Sequence, residues 1–328
     1  MRFDRLSGDH PGKEAAAMMT PASRMNAQLE YEGLATDAWR GIWRRGWSSL
    51  ISFQLGSRPH LLAYNSETGE VSIDRVRPDL QGTSVVWRGA WAPEWKVFMP
   101  FQRLGMPHYL AYREEDEIDA GVVAIDRIQT DGQGVQELWT DVWSTGWTSF
   151  MPFELSGRPH FLAYKKVSGV VSIDRINDEG RGTTSLWTGT WSTGWTSFMP
   201  FRLRGVPHYL AYKVGTGVVD IDRIKPDGRG TQNVWTGQWS KGWTSLMPMR
   251  AVGQAPQFLS YKVDSGEVSL DRIRPDGRGT QTSAHDNWTA AWTHLVPFEL
   301  DHPLSTEFFL AYKRGTGDVA ISYVGVRI

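Results

Sequence analysis

From residue 31 onward the apolar residues fall in short runs, such as Phe198–Phe201 and Tyr209–Tyr212, broken by Gly, Pro and Asp. No stretch there sustains the 3.6-residue apolar period of a helix. The runs are rich in β-branched and aromatic residues and have the length of strands. The stretch from Trp187 to Trp239 predicts four of them: Trp195–Phe201, Pro207–Lys213, Gly217–Ile224 and Thr231–Trp239. Thr216-Gly217 closes the second and third strands into a hairpin, with glycine free to take positive φ. Pro226-Asp227-Gly228 closes the third and fourth as a turn. The apolar runs are nearly continuous rather than alternating, which suits sheets covered on both faces.

This unit is repeated. Its third tryptophan falls at Trp47, Trp95, Trp147, Trp195, Trp243 and Trp292, with spacings of 48, 52, 48, 48 and 49 residues. The second falls at Trp43, Trp91, Trp143, Trp191, Trp239 and Trp288. The first falls at Trp39, Trp87, Trp139, Trp187 and Trp235, with Ala284 in the last unit. These three series account for all 17 tryptophans of the chain. Six units of four strands with a period near 48 predict an all-β fold, a six-bladed β-propeller of four-stranded antiparallel blades. Leu34–Trp43 reads as an outermost strand and Asp318–Val326 as a third strand with nothing after it. The last blade is therefore expected to be shared between the N- and C-terminal segments, which closes the ring and removes its free edges. Residues 31–328 form this single domain. Residues 1–30 are expected to be a weakly ordered or capping arm, with one short helical turn over Lys13–Met19.

Composition narrows the function. Formal net charge is −1, from 35 basic and 36 acidic residues, so no broad nucleic-acid footprint is expected. There is no cysteine, which excludes disulfides, thiolate metal sites and cysteine nucleophiles. No apolar run is long enough for a signal peptide or a membrane span, so a cytoplasmic protein, or one exported without such a signal, is expected. Motifs for hydrolases, nucleotide-binding loops and dinucleotide folds are missing, and no cofactor or metal is expected. The acidic insert Glu114–Asp119 in the second unit matches no cation-binding loop and reads as a solvated turn.

Two sets of side chains recur as candidates. Pairing Lys213 with Val218 puts His208 opposite Arg223 and Tyr209 opposite Asp222. The set repeats as His60/Asp74/Arg75, His108/Asp126/Arg127 and His160/Asp174/Arg175, is partial in Gln257/Asp271/Arg272, and is lost in Glu307/Ser322/Tyr323. Its structural reading is an Asp–Arg pair tying neighbouring blades; its functional reading is a hydrogen-bonding ligand site. The first tryptophan of each unit is expected in the core. The second and third, among them Trp143 and Trp147, Trp191 and Trp195, and Trp239 and Trp243, flank the short junction between units and are candidate exposed platforms.

Six Trp-rich units, with WSxGW at the junction in three of them, resemble the propeller lectins, the tectonin-type group and the fucose-binding six-bladed lectins. The resemblance runs from about Trp39 to the C-terminus. It implies sugars bound between adjacent blades, with Arg175 or Arg223 as donor, Asp174 or Asp222 as acceptor, and Trp191 or Trp195 as wall. His160 and His208 belong to the same candidate set. Asp and Arg are consecutive in one strand and point to opposite faces, so one site would need residues of two blades. The expected function is multivalent glycan binding at several weak sites, with glycans or another small organic ligand as partner. Two alternatives stand beside it: an enzyme with one Trp-lined pocket, a cyclase or cycloaddition catalyst, and a protein-interaction scaffold.

Overall fold

The structure, a computed structural model, describes residues 33–115, 120–252, 255–300 and 307–324. The arm over residues 1–30, most of the acidic insert and the last four residues lie outside the described residues. Six four-stranded antiparallel sheets stand around a central channel as blades. In the fourth, from the channel outward, the strands are Ser197–Leu203, Val206–Tyr212, Val218–Ile224 and Thr231–Gln238. Among the described residues there is no helix, and so none long and apolar enough to cross a membrane.

The sixth blade takes His294–Phe298, Glu307–Tyr312 and Asp318–Val324 from the C-terminal part and Thr36–Ile42 from the N-terminal part. The innermost strands are neighbours all round, the sixth beside the first, so the ring is closed. Pro100, Pro152, Pro200, Pro248 and Pro297 hold the same place in five of these strands, and Ser52 holds it in the first. Proline has no N–H to offer a ladder, and an innermost strand has one free edge facing the channel, so the residue fits there without loss.

The core is divided among the six junctions between blades. The first tryptophans lie there, as expected. The Trp187 ring folds over Gly189, where a Cβ would come within 2.4 Å of it, and meets Gly230 in the next blade's turn. Gly230 has φ +100, a conformation glycine adopts without strain. Trp39, Trp87 and Trp235 repeat both contacts, with Gly41 and Gly82, Gly89 and Gly134, and Gly237 and Gly279. Each tryptophan thus clasps its own outermost strand to the neighbouring blade.

Candidate functional site

The register in the fourth blade pairs His208 with Arg223 and Tyr209 with Asp222. It divides each blade into two faces. In the fourth, Tyr209, Ala211, Asp220 and Asp222 face the preceding blade. His208, Leu210, Tyr212, Ile221 and Arg223 share the other face. Between the third and outermost strands the register slips at Ile221/Asp222, so that Asn233 sits opposite Asp222 and Trp235 opposite Ile221. The same slip occurs at this place in all six blades. It keeps the first tryptophan on the core side while Asn233 and Thr236 turn toward the cleft. Nothing in the residue pattern announces this bulge.

The face with the aspartates, covered by the preceding junction, makes a cleft. Between the third and fourth blades it is a cavity of about 380 Å³, lined by Trp191, Trp195, Tyr209, Asp220, Asp222 and Asn233, among others. Equivalent cavities lie between the sixth and first blades, about 500 Å³ with Trp43, Trp47 and Asp74, and between the fifth and sixth, about 260 Å³ with Trp288, Trp292 and Asp37. A further opening of about 470 Å³ lies over the channel, bordered by Phe53, Met249, Phe298 and Gln54.

The second tryptophan forms one wall of each cleft. Trp191 stacks on Tyr209 of the next blade at 5.9 Å and 20° between planes. Trp143 stacks likewise on Phe161, Trp239 on Phe258 and Trp288 on Phe309. These tryptophans are half-buried, as platforms require. The third series differs from expectation. Trp195 and Trp243 are only 5% and 6% exposed and belong to the junction core, while Trp147 is half-buried. The Lys213 ammonium lies 4.5 Å from the Trp195 ring centre, and Lys165 and Lys262 cover Trp147 and Trp243 in the same way. Lys213 also donates to Ser192 Oγ at 2.9 Å. These lysines, with Arg113 over Trp95 and Lys313 over Trp292, form a repeated set that the sequence reading passed over. The signal was there, as a cation after each LAY or LSY except the first.

His160 and His208 are buried and stack on Phe153 and Phe201 of their own innermost strands at 5.5 Å. His208 Nδ1 donates to the Val206 carbonyl at 2.9 Å, and His160 Nδ1 to that of Arg158 at 2.8 Å. Burial lowers the pKa of both, opposed by these bonds. Neither they nor Arg175 or Arg223 line the cavity between the third and fourth blades. The expected Asp–Arg tie is also not made. Arg223 donates to Gln232 across the strand pair at 2.5 Å, and among the described residues neither Arg175 nor Arg223 has an ion pair with an aspartate of its set. The structure therefore brings Trp191, Trp195 and the aspartate together and leaves the His/Arg pairs on the opposite face. Glu114, from the acidic insert, pairs with Lys96 and accepts from the Gly146 amide at 2.6 Å. Among the described residues no group of acids and histidines is arranged for a metal.

Two aspartates are strongly perturbed. Burial, and then the charge of Asp220, pushes Asp222 up to about 6; burial, partly offset by the Tyr109 hydroxyl and reinforced by Glu137, pushes Asp126 up to about 6. A raised carboxyl pKa means that the folded chain keeps a proton the unfolded chain has lost. Stability from this source is full below about pH 4, falls as pH rises to about 6, and stays lost above. Asp222→Asn should therefore match the parent in urea unfolding at pH 4 and exceed it by about 2 kcal/mol at pH 7. The buried histidines titrate in both proteins and cancel in the difference. Equal stability of the two proteins at pH 7 would show that Asp222 ionises freely in the fold.

No family model matches the chain, and a search of curated proteins finds no match. Solved structures do match, at the level of the fold. An alpha-L-arabinanase from Penicillium chrysogenum complexed with arabinobiose superposes with a TM-score of 0.61 at 8% identity, covering 89% of this chain and 97% of that one. An alpha-L-arabinofuranosidase from Fusarium graminearum with an iminosugar inhibitor gives 0.59 at 6% identity, with 87% and 94% covered. BBS1N in complex with ARL6DN gives 0.52 at 11% identity, with 90% and 98% covered. These likenesses establish the propeller architecture.

Proposed function

We propose that the protein is a carbohydrate-binding propeller of the lectin type, which takes sugars in the clefts between blades at several sites per chain. The observation that carries this reading is the recurrence of one cleft: a half-buried tryptophan wall with a polar floor. A pyranose has the matching character, with a C–H face for the indole and hydroxyls for carboxylate, amide and hydroxyl groups. The 380 Å³ cavity falls within the size range of small-molecule sites. Two fold neighbours solved with a sugar or an iminosugar agree with it, as analogy. The wall residues are Trp143, Trp191 and Trp239, with Trp147, Trp195 and Trp243 behind them; His160, Arg175, His208 and Arg223 lie on the opposite face of their blades and serve the blade's own packing.

A hydrolytic reading has one point in its favour, the pairing of Asp222 at about 6 with a second acid. But Asp220 and Asp222 are alternate residues of one strand, about 6.7 Å apart along it, and form one wall. Glycoside hydrolysis uses carboxyls on both sides of the scissile bond. Repetition favours binding, since several weak sites on one rigid ring gain avidity through effective concentration.

A glycan array followed by titration calorimetry tests this. The expected result is a sugar bound at about two to five sites per chain, each near ~10⁻⁴ M, with multivalent surfaces held far more tightly. Trp191→Ala should remove one site. Absence of any glycan ligand, or saturation at one site with Trp191→Ala silent, would overturn it.

A further inference from the structure

The six clefts differ at two places on their floors, and the differences are correlated. At the position of Asp220 the other blades carry Ser72, Ala124, Ser172, Ser269 and Ala320. At the position of Asn233, the second blade carries Glu137, opposite Asp126. The second and fourth blades thus each present two carboxylates, Asp126 with Glu137 and Asp220 with Asp222. These are also the two blades whose floor aromatic is a tyrosine, Tyr109 and Tyr209, where the others have Leu61, Phe161, Phe258 and Phe309. Both tyrosines are 1% exposed.

The acids in these clefts lack a cation. Among the described residues none of the four forms an ion pair, although nine other acids do, such as Glu70 with Arg44 and Glu267 with Lys262. Oδ1 of Asp220 is buried with no hydrogen-bond partner, and so is the hydroxyl of Tyr109, deep beside Asp126. The Asp220 side chain is half-buried and Tyr109 is fully buried; an unpartnered polar atom shut off from water is costly in a native fold and marks a place where a ligand or water supplies the missing bond. Lys213 is the cation nearest Asp220, and its ammonium is already engaged by Ser192 and the Trp195 ring. The remaining clefts are different. That between the sixth and first blades is bordered by Arg44, Arg77 and Arg88 beside Asp74. That between the fifth and sixth neutralises itself through Asp37 and Arg40 at 2.5 Å.

We propose that the clefts entering the second and fourth blades form a matched pair of subsites for a sugar bearing a protonated amine. The ammonium is received by the two carboxylates, and the tryptophan wall, Trp91 or Trp191, takes the ring of the sugar. Aromatic faces add attraction for the cation itself. The inference rests on the glycan-binding reading above and deepens it.

The test compares glucosamine, N-acetylglucosamine and glucose by calorimetry at pH 6.5, with cyclohexylamine as an amine without a sugar. Glucosamine should saturate at about two sites per chain and bind roughly ten-fold or more tightly than the other two sugars. Asp220→Ser and Glu137→Ser, which install residues that other blades carry at these places, should each remove one glucosamine site. Their melting curves report whether the ring is intact, and the residual site is an internal control. Equal binding of the three sugars, or two sites retained in both variants, overturns the inference. If neutral glycans bind and the amine brings no preference, this inference fails and the glycan reading stands. If neither neutral sugar nor any array glycan binds but glucosamine saturates the two sites that the variants remove, the general glycan reading fails and the ammonium subsites stand; if glucosamine does not bind, the inference fails whatever cyclohexylamine does.

Discussion

Trp195→Ala should destabilise the ring by about 3–5 kcal/mol, the range for truncating a large aromatic in a core. The side chain is 5% exposed and packs with Met151, Leu162, Tyr164 and Tyr209 across the junction of the third and fourth blades. Its loss also releases Lys213, whose ammonium lies over the ring, and uncovers the Tyr164 hydroxyl bond to the Ser192 carbonyl at 2.8 Å. Arg223→Ala should cost far less, about 1 kcal/mol, because the bond to Gln232 is its one side-chain tie across the strand pair. Thermal and urea unfolding of the two variants decide the matter. A Trp195→Ala protein that melts with the parent would place the indole outside the core. An Arg223→Ala protein that loses several kcal/mol would restore the Asp–Arg tie as a structural element.

This order reverses what position in the chain suggests. Trp195 lies beside a short turn, and residues beside turns are usually exposed, whereas Arg223 directly follows a buried aspartate. The architecture was legible because register, period and closure are one-dimensional properties: the tryptophan spacing, the turn glycines and the unpaired strand at each end. His208 opposite Arg223 followed from counting across a hairpin. What escaped was three-dimensional. Which residues of the outermost strand turn toward the cleft depends on the bulge at Ile221/Asp222, and the depth of Trp195 depends on the neighbour that covers it. That Asp222 and Arg223 take opposite faces followed from alternation along the strand; which of the two meets the tryptophan wall did not. The lysines over the third tryptophans escaped for the same reason, since strand order alone does not put Lys213 against Trp195. The correlated Tyr and carboxylate of the second and fourth blades were present in the residues. They acquire meaning only once Asp220, Asp222 and Tyr209 are known to face the same space.

Removing the N-terminal strand should have the larger effect of the two. Deletion of residues 1–45 takes away Thr36–Ile42, the outermost strand of the sixth blade, and leaves Asp318–Val324 as a bare edge. With it go Leu34, 1% exposed, and Trp39 and Trp43, which pack on the cores at both sides of the blade. The Asp37 carboxylate bonded to Ser322 Oγ at 2.6 Å and the Arg44 carbonyl that accepts from Tyr312 at 2.7 Å are lost as well. Two or three buried apolar side chains at about 2 kcal/mol each and half a dozen hydrogen bonds at about 1 kcal/mol each approach the whole stability of a domain, roughly 5–15 kcal/mol. The shortened chain should lack a cooperative unfolding transition and associate through the exposed edge. Deletion of residues 1–32 removes none of these contacts and serves as the comparison. A peptide spanning residues 33–45, added in trans, should pair with the bare strand and restore the transition, because strand addition supplies both the hydrogen bonds and the missing indoles. Calorimetric scans of the three preparations decide it. A cooperative, monomeric transition in the protein lacking residues 1–45 would show that the ring is held by its six inner strands alone, and that the shared blade is not what closes it.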